Sequence, residues 1–293
     1  MTVERCFSLL SVKLWKLLLY IPFIGDREAK RVADEFPRIL SLEETIDRLA
    51  GGNSIVRYGD GEIRLCMGHH LSFQHCHPVL QKRLIEILQH TQQDRFLVGL
   101  NPYTADIRNI SWKGCWEQFI ALVRKDILLQ KNTPRLNRRY NYQQWNWMQY
   151  WRFMKSFIPS AVYANAEISR LDVFQAVPLD KIKAIWNDRD IVFIVPKNGK
   201  FVYEPRLFDN MRSIEYIYIK AVDAFNDYDR IMSEALYKEK NKIFFISAGP
   251  TATVLAYDLY KAGYQALDFG HLPNCYREFL GEAPAPEQLP PAK

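Results

Sequence analysis

Ser54-Ile55-Val56-Arg57-Tyr58-Gly59-Asp60-Gly61-Glu62 is the stretch on which the reading of this chain turns. A short β-branched run reads as a buried strand, and the glycines that follow break it. Asp60 and Glu62 therefore emerge where a strand ends, the edge at which ligands collect in open α/β sheets. Glycine on either side of Asp60 lets a ligand come close to the backbone. Hard carboxylate oxygens suit Mg²⁺ or Mn²⁺, which in turn suit a diphosphate. Spacing alone is weak evidence, because acid-x-acid triplets recur at Asp188-Arg189-Asp190 and Asp227-Tyr228-Asp229. The plainer reading of the triplet is a turn with a solvated Glu62, so the rest of the chain has to decide.

Further apolar runs predict strands at Phe96 to Leu100, Ile191 to Val195, Ile214 to Ile219, Ile243 to Ser247 and Ala266 to Phe269. They lack polar alternation, as in a parallel sheet covered on both faces. Helices predicted between them start at the capping box Ser41-Leu42-Glu43-Glu44, at Pro78, and near Ser111, Ala224 and Thr251. Alternating strands and helices give an α/β, Rossmann-like, mostly parallel sheet in a single domain. Residues 1–35 are set apart as an apolar and basic helical segment, 36–281 as the domain, and 282–293, rich in Pro, Ala and Glu, as a disordered tail.

Composition narrows the classes of function. Apolar residues make up 48% of the 293, enough for a sizeable core. A net charge of +6 favours anionic partners but is too small to indicate nucleic acid, and no nucleic-acid-binding motif occurs. Five scattered cysteines without a CxxC pair read as reduced thiols in a cytoplasmic protein. The apolar stretch Leu9 to Ile24 is interrupted by Lys13 and Lys16 and is too short and charged to span a bilayer. Two readings of it stay open: an interfacial helix on the cytoplasmic face of the membrane, or a terminal helix packed on its own domain.

A second constellation, Ile243-Phe244-Phe245-Ile246-Ser247-Ala248-Gly249-Pro250-Thr251-Ala252-Thr253, reads as strand, tight turn and helix start. Gly249 permits the turn and Pro250 suits the first helical position. Thr251 and Thr253 would add hydroxyl donors beside unpaired backbone N–H groups, a combination that binds phosphate. The strand Ala266 to Phe269 then delivers Gly270-His271 to the same edge.

Taken together, Val56 to Glu62, Gly249-Pro250-Thr251-Ala252-Thr253-Val254-Leu255-Ala256-Tyr257-Asp258-Leu259 and Gly263 to Leu272 resemble the GT-D glycosyltransferase family. Asn165-Ala166 with Ser169-Arg170, Leu207 to Asn210 and Ala224 to Asp229 match between them, so the likeness runs from about residue 38 to 280 in order. It implies a Rossmann-like domain, a nucleotide-sugar donor (UDP-linked as the expected carrier) and a divalent metal, Mn²⁺ or Mg²⁺, with the Asp-x-Glu motif on Asp60 and Glu62. It also implies work on bacterial surface glycans or glycoproteins, with a glycan or lipid-linked saccharide as acceptor. Arg57, Gly59, Asn165, Arg170, Gly249, Pro250, Thr251 and Thr253 are then assigned to the donor, and His271 to a catalytic or metal-binding place. Pro273 and Cys275 stand where the family pattern carries acids, with Glu278 or Asp268 as substitutes. The alternatives are a metal-dependent nucleotidyl- or phosphotransferase, and a non-catalytic glycan- or lipid-diphosphate-binding component of an assembly complex.

Two other clusters invite chemistry. Cys66, His69, His70, His75, Cys76 and His77 crowd together as zinc-type ligands, though at no known finger spacing. Arg135 to Arg152 interleaves arginines with Tyr140, Tyr142, Trp145, Trp147, Tyr150 and Trp151, which suits stacking on an acceptor sugar or, equally, an amphipathic helix with an aromatic core.

Overall fold

A computed structural model describes Leu18 and residues 21–90, 94–105, 112–122, 124 and 142–289. Most of the terminal stretch Leu9 to Ile24 and the arginine cluster Arg135 to Arg139 lie outside these residues. The chain gathers into two compact units, residues 37–102 with 157–293, and residues 1–36 with 103–156.

Among the described residues the first unit holds every strand: β1 (Ser54–Tyr58), β2 (Phe96–Leu100), β3 (Ala164–Asn165), β4 (Asp190–Pro196), β5 (Ser213–Ile219), β6 (Ile243–Ile246) and β7 (Gln265–Asp268). They form one sheet in the order β3-β2-β1-β7-β6-β4-β5, and every pairing is parallel. Residues of β2 and β6 are buried throughout, as the continuous apolar runs require. The chain steps outward from β1 to β3, crosses to the far edge, and returns so that β7 pairs with β1 through Ile55 and Leu267. The order therefore reverses between β1 and β7, and a crevice opens beyond the carboxyl ends of strands at such a point.

Helices α1 (Leu42–Ala50), α2 (Asp60–Cys66), α3 (Pro78–Leu88), α4 (Pro250–Lys261) and α5 (Leu272–Phe279) frame that crevice and its supports. The predicted capping box is present: Glu44 N–H donates to Ser41 Oγ at 3.1 Å, and Ser41 N–H to Glu44 Oε2 at 2.8 Å. Behind the sheet, Trp186, Phe193, Phe208, Phe245 and Phe269 interlock edge-to-face, with Phe245 and Phe269 centroids 5.0 Å apart. Each such buried ring contributes a few kcal/mol of transfer free energy, about 1.5–3 by area.

The structure differs from the sequence reading in two places near the crevice. Asp60 to Cys66 is a helix where a loop was predicted, because Glu62 reaches back to the Gly59 N–H and carboxylates in a first turn suit the helix dipole. The supposedly disordered tail carries a 3-10 turn at Pro286–Gln288 with Pro286 buried. Glu282 fixes it through a two-pronged pair with Arg206 at 2.8 and 2.6 Å, and Lys200 Nζ donates to Pro286 O at 3.0 Å.

The second unit contains helices Pro22–Glu35, Trp112–Leu122 and Tyr142–Met154. Trp147, Tyr150 and Trp151 are buried there. Phe36 packs on Trp147 and Trp151 at 5.1 and 5.2 Å, and Trp151 Nε1 donates to a Glu35 carboxylate at 2.8 Å. These rings are core, so they offer no stacking face to an acceptor.

Candidate active site

Arg57 organises the carboxyl ends of β1 and β7. Its Nε donates to the Asp268 main-chain carbonyl at 2.6 Å and its Nη2 to Asp268 Oδ1 at 2.8 Å. Nη1 approaches the Ala166 carbonyl at 3.5 Å. Gly270 makes room for this fork: its φ is +46°, and a Cβ there would stand 2.3 Å from Arg57 Nη2. Asp268 is 3% exposed, and burial pushes its carboxyl up while the Arg57 charge opposes the shift.

Glu62 stands beside this pair. The residue keeps some exposed surface, yet protein atoms enclose its carboxylate, which accepts the Gly59 N–H at 2.8 Å. Burial, reinforced by the Asp268 charge, pushes it up to about 7. His271 follows β7 directly. Burial, with Arg57 and Arg170 nearby, pushes its imidazole down to about 4, so the ring is neutral at physiological pH. Its buried Nδ1 has no partner among the described residues. Asp60 is half-buried at the first position of α2.

The helix start at Gly249-Pro250 adjoins α2, since a Cβ on Gly61 would lie 3.9 Å from Pro250 Cγ. Gly249 has φ +55°, and a Cβ there would meet the Phe73 ring at 3.1 Å. The two hydroxyls expected to face a phosphate turn inward instead. Thr251 Oγ1 donates to Gln74 Oε1 at 3.2 Å and Thr253 Oγ1 to the Arg57 carbonyl at 3.3 Å, and both residues are fully buried. The helix packs against β1 and the 71–76 loop, and that packing fixes their direction. Backbone N–H groups at the helix start remain the phosphate-type donors.

Other sequence candidates are placed as follows. Asn165 is buried and caps the following 3-10 turn, its Oδ1 accepting the Glu167 N–H at 2.9 Å. Arg170 pairs with Glu287 at 2.5 Å. Pro273 and Cys275 are buried in α5, and burial pushes the Cys275 thiol up to about 12. Asp268, engaged by Arg57, is not a free substitute for the missing acids. Zinc finds no nest: among the described residues no group of three or more His, Cys, Asp or Glu side chains is arranged for a metal. His75 pairs with Asp223 at 2.7 Å, His70 accepts the Cys76 N–H at 3.1 Å, and His77 caps α3. Gln74, Phe73 and Glu287 were not singled out from sequence, since only long-range packing brings them here.

A parallel α/β sheet with charged side chains at its reversal point defines the class, a Rossmann-like α/β domain. The family model described as Glycosyltransferase GT-D fold matches residues 55–127 and 128–293, and the chain belongs to that family. A probable glycosyl transferase Gly of Streptococcus gordonii is 28% identical over 255 residues, covering 82% of this chain and 33% of that protein. Glycosyltransferase GlyD of Streptococcus pneumoniae is 26% identical over 248 residues, covering 82% of this chain and 27% of that protein. The chain thus spans about a third or less of the curated relatives it matches. Among solved structures, one described as showing that the highly conserved domain of unknown function 1792 has a distinct glycosyltransferase fold superposes with TM-score 0.68 at 25% identity, over 88% of this chain and 86% of that one. A new glycosyltransferase (DUF1792) from Streptococcus sanguinis gives 0.65 at 25% identity, over 84% and 86%.

Proposed function

We propose that this chain is a metal-dependent glycosyltransferase that moves a sugar from a nucleotide-sugar donor, UDP-linked for preference, to a glycan or lipid-linked saccharide. The observation that carries this reading is the gathering of Arg57, Glu62, Asp268 and His271 at the β1/β7 reversal beside the α4 start. Family membership and the relatives' names support the transferase class.

The charge balance fits a divalent cation. Two enclosed carboxylates, Glu62 and Asp268, face one guanidinium, and Asp268 already holds it. Asp60 and Glu62 would supply hard oxygens to Mg²⁺ or Mn²⁺. Such cations commonly take one or two carboxylates and complete their shell with phosphate oxygens and water. Bound there, the cation would offset negative charge developing on the leaving nucleoside diphosphate. Arg57 and Arg170 and the backbone N–H groups at the start of α4 add fixed positive potential. His271, neutral and pushed far below the range of an effective base at physiological pH, serves better as a hydrogen-bond acceptor or ligand than as the group that deprotonates the acceptor. Synthesis of bacterial surface polysaccharide or glycoprotein sugars, at the cytoplasmic side of the membrane, is the setting this reading suggests.

The test is a panel of nucleotide sugars screened for Mn²⁺-dependent thermal stabilisation, followed by product analysis with the best donor. Nucleoside diphosphate release coupled to sugar transfer, lost in Asp60→Ala and Glu62→Ala, is the expected result. Release of pyrophosphate or nucleoside monophosphate would instead make the protein a nucleotidyl- or phosphotransferase.

A further inference from the structure

Beside the carboxylates lies a basic rim of which the proposed chemistry uses Arg170 and His271 but leaves Lys200 and Glu287 unexplained. Arg170, Lys200 and Glu287 all lie within electrostatic reach of His271. Helix α5 packs against the Ala166–Ser169 turn and the helix Leu171–Ala176 that follows it. It is tied to Lys200 as well, because Asn274 Nδ2 donates to the Lys200 carbonyl at 2.8 Å. Three polar atoms on these packed elements lack partners among the described residues: Ser169 Oγ, Asn274 Oδ1 and His271 Nδ1. Ser169 and Asn274 are 0% and 4% exposed. Unpaired polar groups at such depth are costly, and a ligand that reaches them removes that cost.

An anion already stands at this rim, and it comes from the chain itself. The Glu287 carboxylate meets Arg170 at 2.5 Å, and the preceding Pro286 carbonyl takes the Lys200 ammonium. Lys200 has no carboxylate partner among the described residues, so its charge is left unneutralised. We infer that Arg170, Lys200, Ser169 and His271, the last two able to donate from Oγ and Nδ1, form a subsite for a phosphoryl group, and that Glu287 holds the place until a substrate phosphate displaces it. Asn274, whose free oxygen only accepts, fixes the Lys200 main chain rather than binding the anion. A phosphoryl group brings more negative charge and more acceptor oxygens than a carboxylate, and arginine binds it with two parallel hydrogen bonds. The 282–289 segment is anchored independently by the Glu282–Arg206 pair, so it can release Glu287 without leaving the domain. The inference rests on the proposed function only for the source of the phosphate.

Calorimetric titration with inorganic pyrophosphate tests it on the full chain, in the wild type, Glu287→Gln, Arg170→Gln and the double variant. Glu287→Gln removes the competing charge and should tighten binding about three- to tenfold, the range expected for losing a half-exposed pair and its repulsion. Arg170→Gln should weaken binding, and the double variant should lose the gain. Equal or weaker binding by Glu287→Gln overturns the inference, as does absence of pyrophosphate binding in all four proteins. Because pyrophosphate carries no nucleoside, this result stands or falls apart from the nucleotide-sugar screen. A competition arm separates the sources: UDP that displaces pyrophosphate places the subsite on the donor, and UDP that binds alongside assigns it to a phosphate of the acceptor.

Discussion

Replacing Glu62 with Gln is the most direct probe of the carboxylate pair. The amide keeps an oxygen for the Gly59 N–H, so the helix start survives while the titratable charge is removed. In the folded chain the Glu62 carboxyl is raised from 4.5 to about 7. Between those values the folded protein holds a proton that the unfolded chain has released. The stabilisation from that proton is therefore complete below about pH 4.5 and lost as pH rises through 7. At about 1.4 kcal/mol for each of the roughly 2.5 pH units, the loss is at most about 3.5 kcal/mol, discounted to about 3 because part of the residue meets solvent. His271 works the other way: lowered from 6.5 to about 4, it gives stability that is complete above 6.5 and lost as pH falls through 4. The wild-type profile blends the two, so the informative quantity is the difference between Glu62→Gln and wild type in urea unfolding across pH 4.5 to 8.5. That difference should move in favour of the variant by up to about 3 kcal/mol as pH rises. A flat difference curve would refute the enclosed, Asp268-opposed carboxylate.

Three further outcomes follow from the same geometry. Mn²⁺ should raise the melting temperature of the wild type more at pH 8 than at pH 5.5, because below 7 protons compete for Glu62, and Asp60→Asn should blunt the effect. Arg57→Met strands the buried Asp268 carboxylate and should cost about 3–5 kcal/mol at neutral pH in urea titrations, with a smaller loss near pH 5 where Asp268 takes a proton more readily. Gly270→Ala places a methyl 2.3 Å from Arg57 Nη2 at φ +46°, so about 1–3 kcal/mol of stability should go, together with donor-dependent thermal stabilisation.

Strands were legible where a continuous apolar run meets a glycine or proline. Ser54–Tyr58 and Phe96–Leu100 fall where the runs end. β3 was not legible, because Ala164 and Asn165 make a two-residue strand with no run to read. Helix α2 escaped because Gly61 sits in its first turn and the nucleating contact, Glu62 to the Gly59 N–H, carries no hydrophobic period. Within the site, the identity of Asp60 and Glu62 could be read, but their electrostatics could not. Burial raises Glu62 first, and the charge that adds to it is Asp268, some two hundred residues away, brought beside it by the β1–β7 pairing. One signal was present: Arg57 and Asp268 are the lone charges of two otherwise uncharged strands, and buried charges need partners. The inward turn of Thr251 and Thr253 carried no local signal, since hydroxyl direction was set by packing on β1 and Gln74.

The site is polarised across a short span. At one pole Glu62 and Asp268 crowd together, and burial pushes both carboxyls up although the Arg57 guanidinium opposes the shift. At the other, among the described residues, Arg170 meets the Glu287 carboxylate and Lys200 meets the Pro286 carbonyl. Between them His271 is neutral and keeps an unpaired ring nitrogen. A lone cation would leave the basic pole unanswered, and a lone anion would leave the carboxylates uncompensated. On the proposed reading, a divalent cation bound to a diphosphate would answer both at once, and each half would lower the cost of binding the other. Removing charge at either pole should therefore weaken both ligands: Asp60→Asn should loosen pyrophosphate in the presence of Mn²⁺ but not in its absence. Equal loosening in both conditions would mean that the two poles act separately.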